Sequence, residues 1–353
     1  MDKDAVKQFS FAVWTYKMGE QVSLMIHLGD RLGFYRAMSG AGPMNSEQLA
    51  AETETDERFV REWLLGQAAA KLIDRDEHGL FELTEVQAAV LADEDDSLSF
   101  AAGAFRGGTD PAGVDALVES FRSGLGVTYE QQGTAAAAGL ARMTGPWSRL
   151  ALTSTILPSL DGVVDKLEAG ATVIDVGCGA GVTATTIAEA YPNSRCIGYD
   201  PSTVAIDLAR ERATEAGLKN LEFVAAAADA LPADGSADLV LCFDCLHDMP
   251  RPDRSLEAIR SAMAGDGTLL IKDIRSTGHF DKDRRNPLLA MFYGFSVASC
   301  LQSAKSEPDG MGLGTLGLYP ERMKELVTEA GFGSFVQHDL DDAANLYYEV
   351  RVA

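Results

Sequence analysis

The sequence predicts an α/β protein, a doubly wound and mostly parallel sheet of seven strands preceded by an α-rich N-terminal domain. Three observations carry this. The stretch Ala171–Gly181, ATVIDVGCGAG, reads as a buried strand, a turn with Gly177, Gly179 and Gly181, and then a helix-like segment, Val182–Ala190. Glycines at such a turn let the backbone pass close to a ligand, and the amides that open the next helix face it. From Asp161 onward strand and helix patterns alternate. Strands are expected at 171–176, 195–199, 221–225, 237–243, 267–273, 333–338 and 345–352, the last antiparallel, with helices near 182–190, 202–216, 252–264 and 320–331. At 353 residues the chain is long enough for two domains, each with its own core.

The N-terminal domain, 1–92, begins with a helical pattern over 5–38, where Val22, Met25, Ile26 and Leu32 recur at helix spacing. Asn45-Ser46 starts a short helix, SEQLAAETE, and Asp56 caps a longer one, ERFVREWLLGQAAAKLI. LIDR, the acidic turn DEHG and LFELT then read as a β-hairpin. Helix, helix, hairpin is a winged-helix order. Residues 93–160 form a helical bridge, with helices expected over 97–125 and 131–160. Segment 274–319 interrupts the later alternation and holds Met291, Phe292, Tyr293 and Phe295 before a glycine-rich run, GMGLGTLG. It reads as a lid-like insertion or a surface loop.

Composition narrows the function. The chain is 46% hydrophobic and 24% charged, with a formal net charge of −23, a field that repels nucleic acid and anionic membranes alike. Residues 1–99 hold 19 Asp/Glu against 9 Lys/Arg, so the winged helix lacks the sign that phosphate binding needs. Five cysteines, an odd number mostly in apolar runs, point to reduced thiols in a cytoplasm. Cys242 and Cys245 form a CxxC at the end of a strand-like run, so they read as core cysteines, and no metal site is expected. MDKDAVK lacks the pattern of a signal peptide, and no apolar run reaches the length of a membrane span.

The ligand groups come from the strand ends. The glycine run departs from the dinucleotide pattern, because Val182 stands where its last glycine belongs. The carboxylate of Asp175 suits a cationic amino-acid group and would repel a pyrophosphate. Asp200, before Pro201, closes the second strand 19 residues beyond Gly181 and can accept both hydroxyls of a ribose. The third strand leads to Asp229-Ala230, where a carboxylate can accept the amino hydrogens of a flat ring. The fourth ends at Phe243-Asp244, and His247 follows with Asp248 beside it.

The run Asp175-x-Gly177-x-Gly179-x-Gly181 resembles the first motif of class I S-adenosylmethionine (SAM)-dependent methyltransferases, whose Rossmann-like fold would cover 161–353. The winged helix resembles the dimerisation domain of small-molecule O-methyltransferases. The layout is similar to a mycobacterial and actinobacterial group of such enzymes. The resemblance implies that SAM is held by Asp175, Gly177, Cys178, Gly179, Gly181, Asp200, Pro201, Asp229, Ala230, Phe243 and Asp244, with S-adenosylhomocysteine as product and no metal. Leu246-His247-Asp248 resembles the LHDW segment of plant-type phenolic O-methyltransferases, although Met249 replaces the tryptophan. By that resemblance His247 is the base that takes the acceptor's proton. A histidine here also resembles the ubiquinone/menaquinone-biosynthesis type, some of which alkylate carbon. Expected pocket residues are Met143, Trp147, Met291, Phe292 and Phe295. The resulting expectation is methyl transfer to a hydroxyl of a largely apolar small molecule by a homodimer joined through its N-terminal domain. Carbon or nitrogen methylation, or a non-catalytic SAM-binding winged-helix regulator, are the alternatives.

Overall fold

The computed structural model describes residues 1–352 and divides into two compact units. One comprises Met1–Asp110 with Arg142–Leu150, the other Pro111–Ala141 with Ala151 onward. The expected bridge, 93–160, is therefore shared between the units and is not a body of its own.

The first unit opens with α1 (Lys3–Arg31) and α2 (Phe34–Met38). The single helix expected over 5–38 is broken at Gly33, whose φ of 74° no helix continues through. Next come α3 (Ser46–Glu52), α4 (Glu57–Ala69), the hairpin β1 (Asp74–Arg75) and β2 (Phe81–Glu82), and α5 (Glu85–Leu91). The caps read from sequence are in place. Asn45 and Gln48 form a reciprocal capping box on α3, and the Asp56 carboxylate accepts from the Arg58 and Phe59 amides on α4. Trp63 of α4 centres the core, with edge contacts to Phe34 and Tyr35 and its indole N–H donated to the Met25 carbonyl at 2.8 Å. Arg142 joins this unit through a fork of hydrogen bonds to buried Asp30, at 2.6 and 3.0 Å, and through Glu94.

Over the expected bridge the structure corrects two helix boundaries. The helix expected over 97–125 starts only at Pro111, as α6 (Pro111–Ser123). That expected over 131–160 is divided into α7 (Tyr129–Gln132), α8 (Thr134–Trp147) and a π-helical turn, Ser148–Ile156. Gly133, at φ 80°, separates the first pair, and Pro146, which has no N–H to donate, precedes the π turn.

The second unit continues through α9 (Val163–Ala169), β3 (Thr172–Val176), α10 (Val182–Ala190), β4 (Arg195–Asp200), α11 (Thr203–Glu215), β5 (Leu221–Ala225), β6 (Ala237–Phe243), α12 (Pro252–Ala262) and β7 (Met263–Ile274). The insertion supplies α13 (Phe280–Asp283), α14 (Leu289–Phe295) and α15 (Leu301–Ala304). The chain ends with α16 (Pro320–Glu329), β8 (Ser334–His338) and β9 (Asn345–Arg351). The strands lie in the order β5-β4-β3-β6-β7-β9-β8, and β9 runs antiparallel to both neighbours. From β3 the chain winds outward to β4 and β5, then returns to β6 on the other side of β3. This reversal opens a crevice at the carboxyl ends of β3 and β6, where open α/β sheets bind ligands. Both strands are buried along most of their length, as parallel strands covered by helices on both faces are.

Candidate active site

The glycine turn after β3 is shaped by its neighbours. A Cβ on Gly177 would come within 2.6 Å of Cys245 Cβ, and one on Gly181 within 2.5 Å of the Phe223 ring, so both positions exclude any larger residue. Gly179 is different, for a Cβ there meets nothing within 4 Å. The loop thus packs at its two ends and opens at its middle. The Gly177 and Cys178 amides donate to the Tyr199 carbonyl, and the Gly179 amide donates to Asp200 Oδ2 at 3.0 Å, which ties the turn to the end of β4.

Asp175 is buried, and its Oδ2 has no hydrogen-bond partner. Burial pushes its pKa up to about 7; the Ala184 amide pulls the other way, and the charge of Asp200 adds to the rise. Asp200 is also raised, by burial first, with the Ser202 and Gly179 amides opposing. Each Asp200 oxygen accepts one amide and keeps a lone pair for another donor. Pro201, Asp229 and Ala230 are exposed at the neighbouring strand ends, and Cys178 is half-buried in the loop. Asp244 is committed to the fold. At φ 52°, its carboxylate pairs with buried Lys272 at 2.6 Å and accepts from Asn345 at 2.7 Å. Phe243 is half-buried, with the Lys272 ammonium 5.9 Å from its ring centre.

His247 follows β6 in a short 3-10 turn and is 2% exposed. Its Nδ1 is 2.8 Å from Asp273 Oδ1, at the end of β7, and its Nε2 is 3.0 Å from Asp248 Oδ1. Burial alone would lower the imidazole's pKa, but the charges of Asp248 and Asp273 outweigh it and raise the pKa well above the usual value. The Tyr129 hydroxyl donates to the other Asp248 oxygen at 2.6 Å, and Cys300 of the insertion stands beside the pair. The neighbouring Glu130 accepts from Ser202 Oγ at 2.9 Å and from Thr203, so α7 reaches from the His247 turn to the start of α11.

Sequence reasoning missed Asp273, Glu130 and Cys300 as members of this site, and weighed Tyr129 only as an aromatic residue that faces a substrate or packs in the core. Asp273 left a trace, a polar residue closing the apolar run LLIKDI, whereas the other three lie on segments joined to the sheet only by folding. The glycine-rich run also belongs here, because the Gly314 amide donates to the His247 carbonyl and the Met311 amide to that of Pro250. Of the expected pocket residues, Phe292 is half-buried on α14, while Met291 and Phe295 are exposed. Met143 and Trp147 fall in the first unit. Cys242 and Cys245 are buried, and the Cys245 thiol donates to the Val176 carbonyl at 3.1 Å, which makes them core cysteines.

Comparison with known proteins places this chain beside methyltransferases. Residues 167–331 match the family model described as a methyltransferase domain, and residues 20–93 match an Rv2258c-like winged HTH domain. Among curated proteins, the ubiquinone biosynthesis O-methyltransferase of Cupriavidus pinatubonensis is 33% identical over 116 residues, 33% of this chain and 45% of that protein. That of Paraburkholderia xenovorans is 33% identical over 99 residues, 28% of this chain and 42% of that protein. The chain thus spans under half the length of these relatives. Human N-acetylserotonin methyltransferase, solved with SAM, shares the fold at a TM-score of 0.69 and 20% identity, covering 98% of this chain and 97% of that one. The mitomycin 7-O-methyltransferase MmcR does so at 0.69 and 20%, covering both chains fully at 100%. The methyltransferase-domain match spans β3 to α16, and so includes Asp175, Asp200, His247, Asp273 and Cys300. Tyr129 and Glu130 precede it.

Proposed function

We propose that the protein is a SAM-dependent methyltransferase acting on a hydroxyl oxygen of a largely apolar small molecule. The observation that carries this reading is the pairing, across adjacent strands β3 and β6, of a buried carboxylate lacking a partner with a histidine anchored by a second carboxylate. The residues present fit the cofactor. Asp175 Oδ2 is the acceptor for its ammonium. Asp200 keeps lone pairs for the ribose hydroxyls. Gly179 leaves open space beside them. Asp229 and Ala230 border the adenine, next to Pro201 and Cys178. The likeness to solved methyltransferases, one of them holding SAM, supports the same reading.

The bound cofactor supplies a methyl group already activated on a sulfonium. The chain's own work is to orient the acceptor, exclude water and receive a proton. Asp273 fixes the His247 ring through Nδ1 and leaves Nε2 to receive the acceptor's proton once the imidazolium that the two carboxylates favour has lost its own. Asp248 neighbours that nitrogen and stabilises the imidazolium that results. The half-buried and exposed apolar residues of α14, Phe292 with Met291 and Phe295, are the surface offered to an apolar acceptor.

The protein acts as a homodimer in the cytoplasm. The first two-thirds of α1 carries Phe9, Phe11, Trp14, Tyr16 and Met18 at 61–79% exposure, apolar groups on opposite sides of the helix that a second copy of the chain would cover. Among the described residues no helix is long and apolar enough to cross a membrane.

Incubation with methyl-labelled SAM and a panel of hydroxylated aromatics tests the reaction. An O-methyl product is expected. Label on carbon or nitrogen would favour the other methylation chemistries, and SAM binding without any transfer would favour a regulator.

A further inference from the structure

We propose that His247 Nε2, Asp248 Oδ1 and Cys300 Sγ form a binding site for a soft divalent cation of the zinc class, and that the ion inhibits the protein. The three ligand atoms lie within 4.8 Å of one another. They come from two segments, the turn after β6 and the insertion before α15. Imidazole, carboxylate and thiolate together are a donor set that zinc and its neighbours prefer to magnesium or calcium.

Two features separate this cluster from a chance meeting of polar groups. First, Asp248 Oδ1 is buried and has no hydrogen-bond partner, although His247 Nε2 is only 3.0 Å away. The two atoms are near but not aligned as donor and acceptor. Second, both ligands have the outer partners that metal ligands need. His247 presents its other nitrogen to Asp273 Oδ1 at 2.8 Å, and Asp248 accepts the Tyr129 hydroxyl on its other oxygen at 2.6 Å. Such partners fix the ring and the carboxylate and raise ligand basicity. Asp273 also adds negative charge beside an incoming cation.

Binding forms bonds from the ion to Nε2, Oδ1 and Sγ and releases two protons to solvent, one from the imidazolium and one from the thiol. Nothing is oxidised or reduced. With three protein ligands the ion keeps an open position. An ion on Nε2 removes the nitrogen assigned above to the acceptor's proton, so it blocks methyl transfer. The site itself stands on its ligands and does not depend on that assignment.

Cobalt(II) is the probe, because thiolate ligation gives it a charge-transfer band in the near ultraviolet. The full-length protein, freed of metal by a chelator, is titrated with Co2+ alone. One equivalent is expected to bind and develop the band. Cys300→Ser is expected to lose the band, and Cys178→Ser to keep it. Asp273→Asn should retain the band with affinity about 10–100-fold weaker. Circular dichroism confirms that each variant is folded. Absence of saturable Co2+ binding in folded protein overturns the proposal, as does a band that survives in Cys300→Ser or disappears in Cys178→Ser. All of these readouts are independent of SAM and of activity.

Discussion

The two halves of the crevice are built in different ways. The β3–β4 half is local: Asp175, the glycine turn and Asp200 lie within 26 residues of chain, and their mutual hydrogen bonds are backbone amides to a strand-end carbonyl and a carboxylate. The β6–β7 half is assembled from four distant segments, with Tyr129, His247-Asp248, Asp273 and Cys300 meeting through side chains. The first half holds a buried carboxylate without a cation. The second encloses an imidazole between two carboxylates. A site for a cationic ligand can thus be set by one strand–turn–helix unit, whereas a site for proton transfer needs groups that only the complete fold unites.

Breaking each half should give opposite signatures. The largest effect on the reaction is expected from His247→Ala, which should lower kcat by about 100-fold to 10,000-fold while SAM affinity stays near wild type. Single-turnover rates beside a binding titration separate the two terms, and full activity in the variant would remove the base from the account. On the other side, Gly181→Ala places a Cβ 2.5 Å from Phe223 at a residue with φ 75°, and should cost about 2–4 kcal/mol of stability with cofactor binding lost in parallel. Denaturant unfolding checks this; a wild-type midpoint would mean that the Phe223 ring yields.

Asp175→Asn sharpens the comparison through pH. The folded carboxyl titrates near 7, well above its unfolded value. Its contribution to folding is therefore complete below the ordinary carboxylate range and is lost as pH rises toward about 7. Asp175→Asn should unfold at a higher temperature than wild type at pH 8 in the absence of ligand. An ammonium ligand needs the ionised form, so wild-type SAM affinity should fall below pH 7 by up to about tenfold per pH unit, and the Asn variant should bind weakly without that slope. A flat wild-type profile would detach Asp175 from the ligand. The smallest effect is expected from Tyr129→Phe. It removes one hydrogen bond to Asp248 and should cost about 1 kcal/mol, read as a modest fall in kcat with KM for SAM unchanged. A fall confined to KM for SAM would place Tyr129 on the cofactor side.

The same contrast explains what the sequence discloses. The strands of the second unit lie within a few residues of the expected spans, since alternating apolar runs and glycine turns are local signals; β7 alone begins four residues early, at Met263. The breaks at Gly33 and Gly133 were not legible from apolar spacing, which continues across them, although both are glycines at positive φ in open space. His247 could be singled out by its place after a strand. Its partner Asp273 required the knowledge that β7 pairs beside β6, and Tyr129 and Cys300 required the folded insertion and α7. The Asp244 carboxylate pairs with Lys272, a residue whose burial no local pattern announces.

The account rests on the β3–β4 half binding SAM, and isothermal titration of the wild type and Asp200→Ala with SAM and with S-adenosylhomocysteine tests that most directly. Micromolar binding of both ligands by the wild type, with a marked loss for Asp200→Ala, is the predicted result. Folded wild-type protein that binds neither ligand would contradict the account.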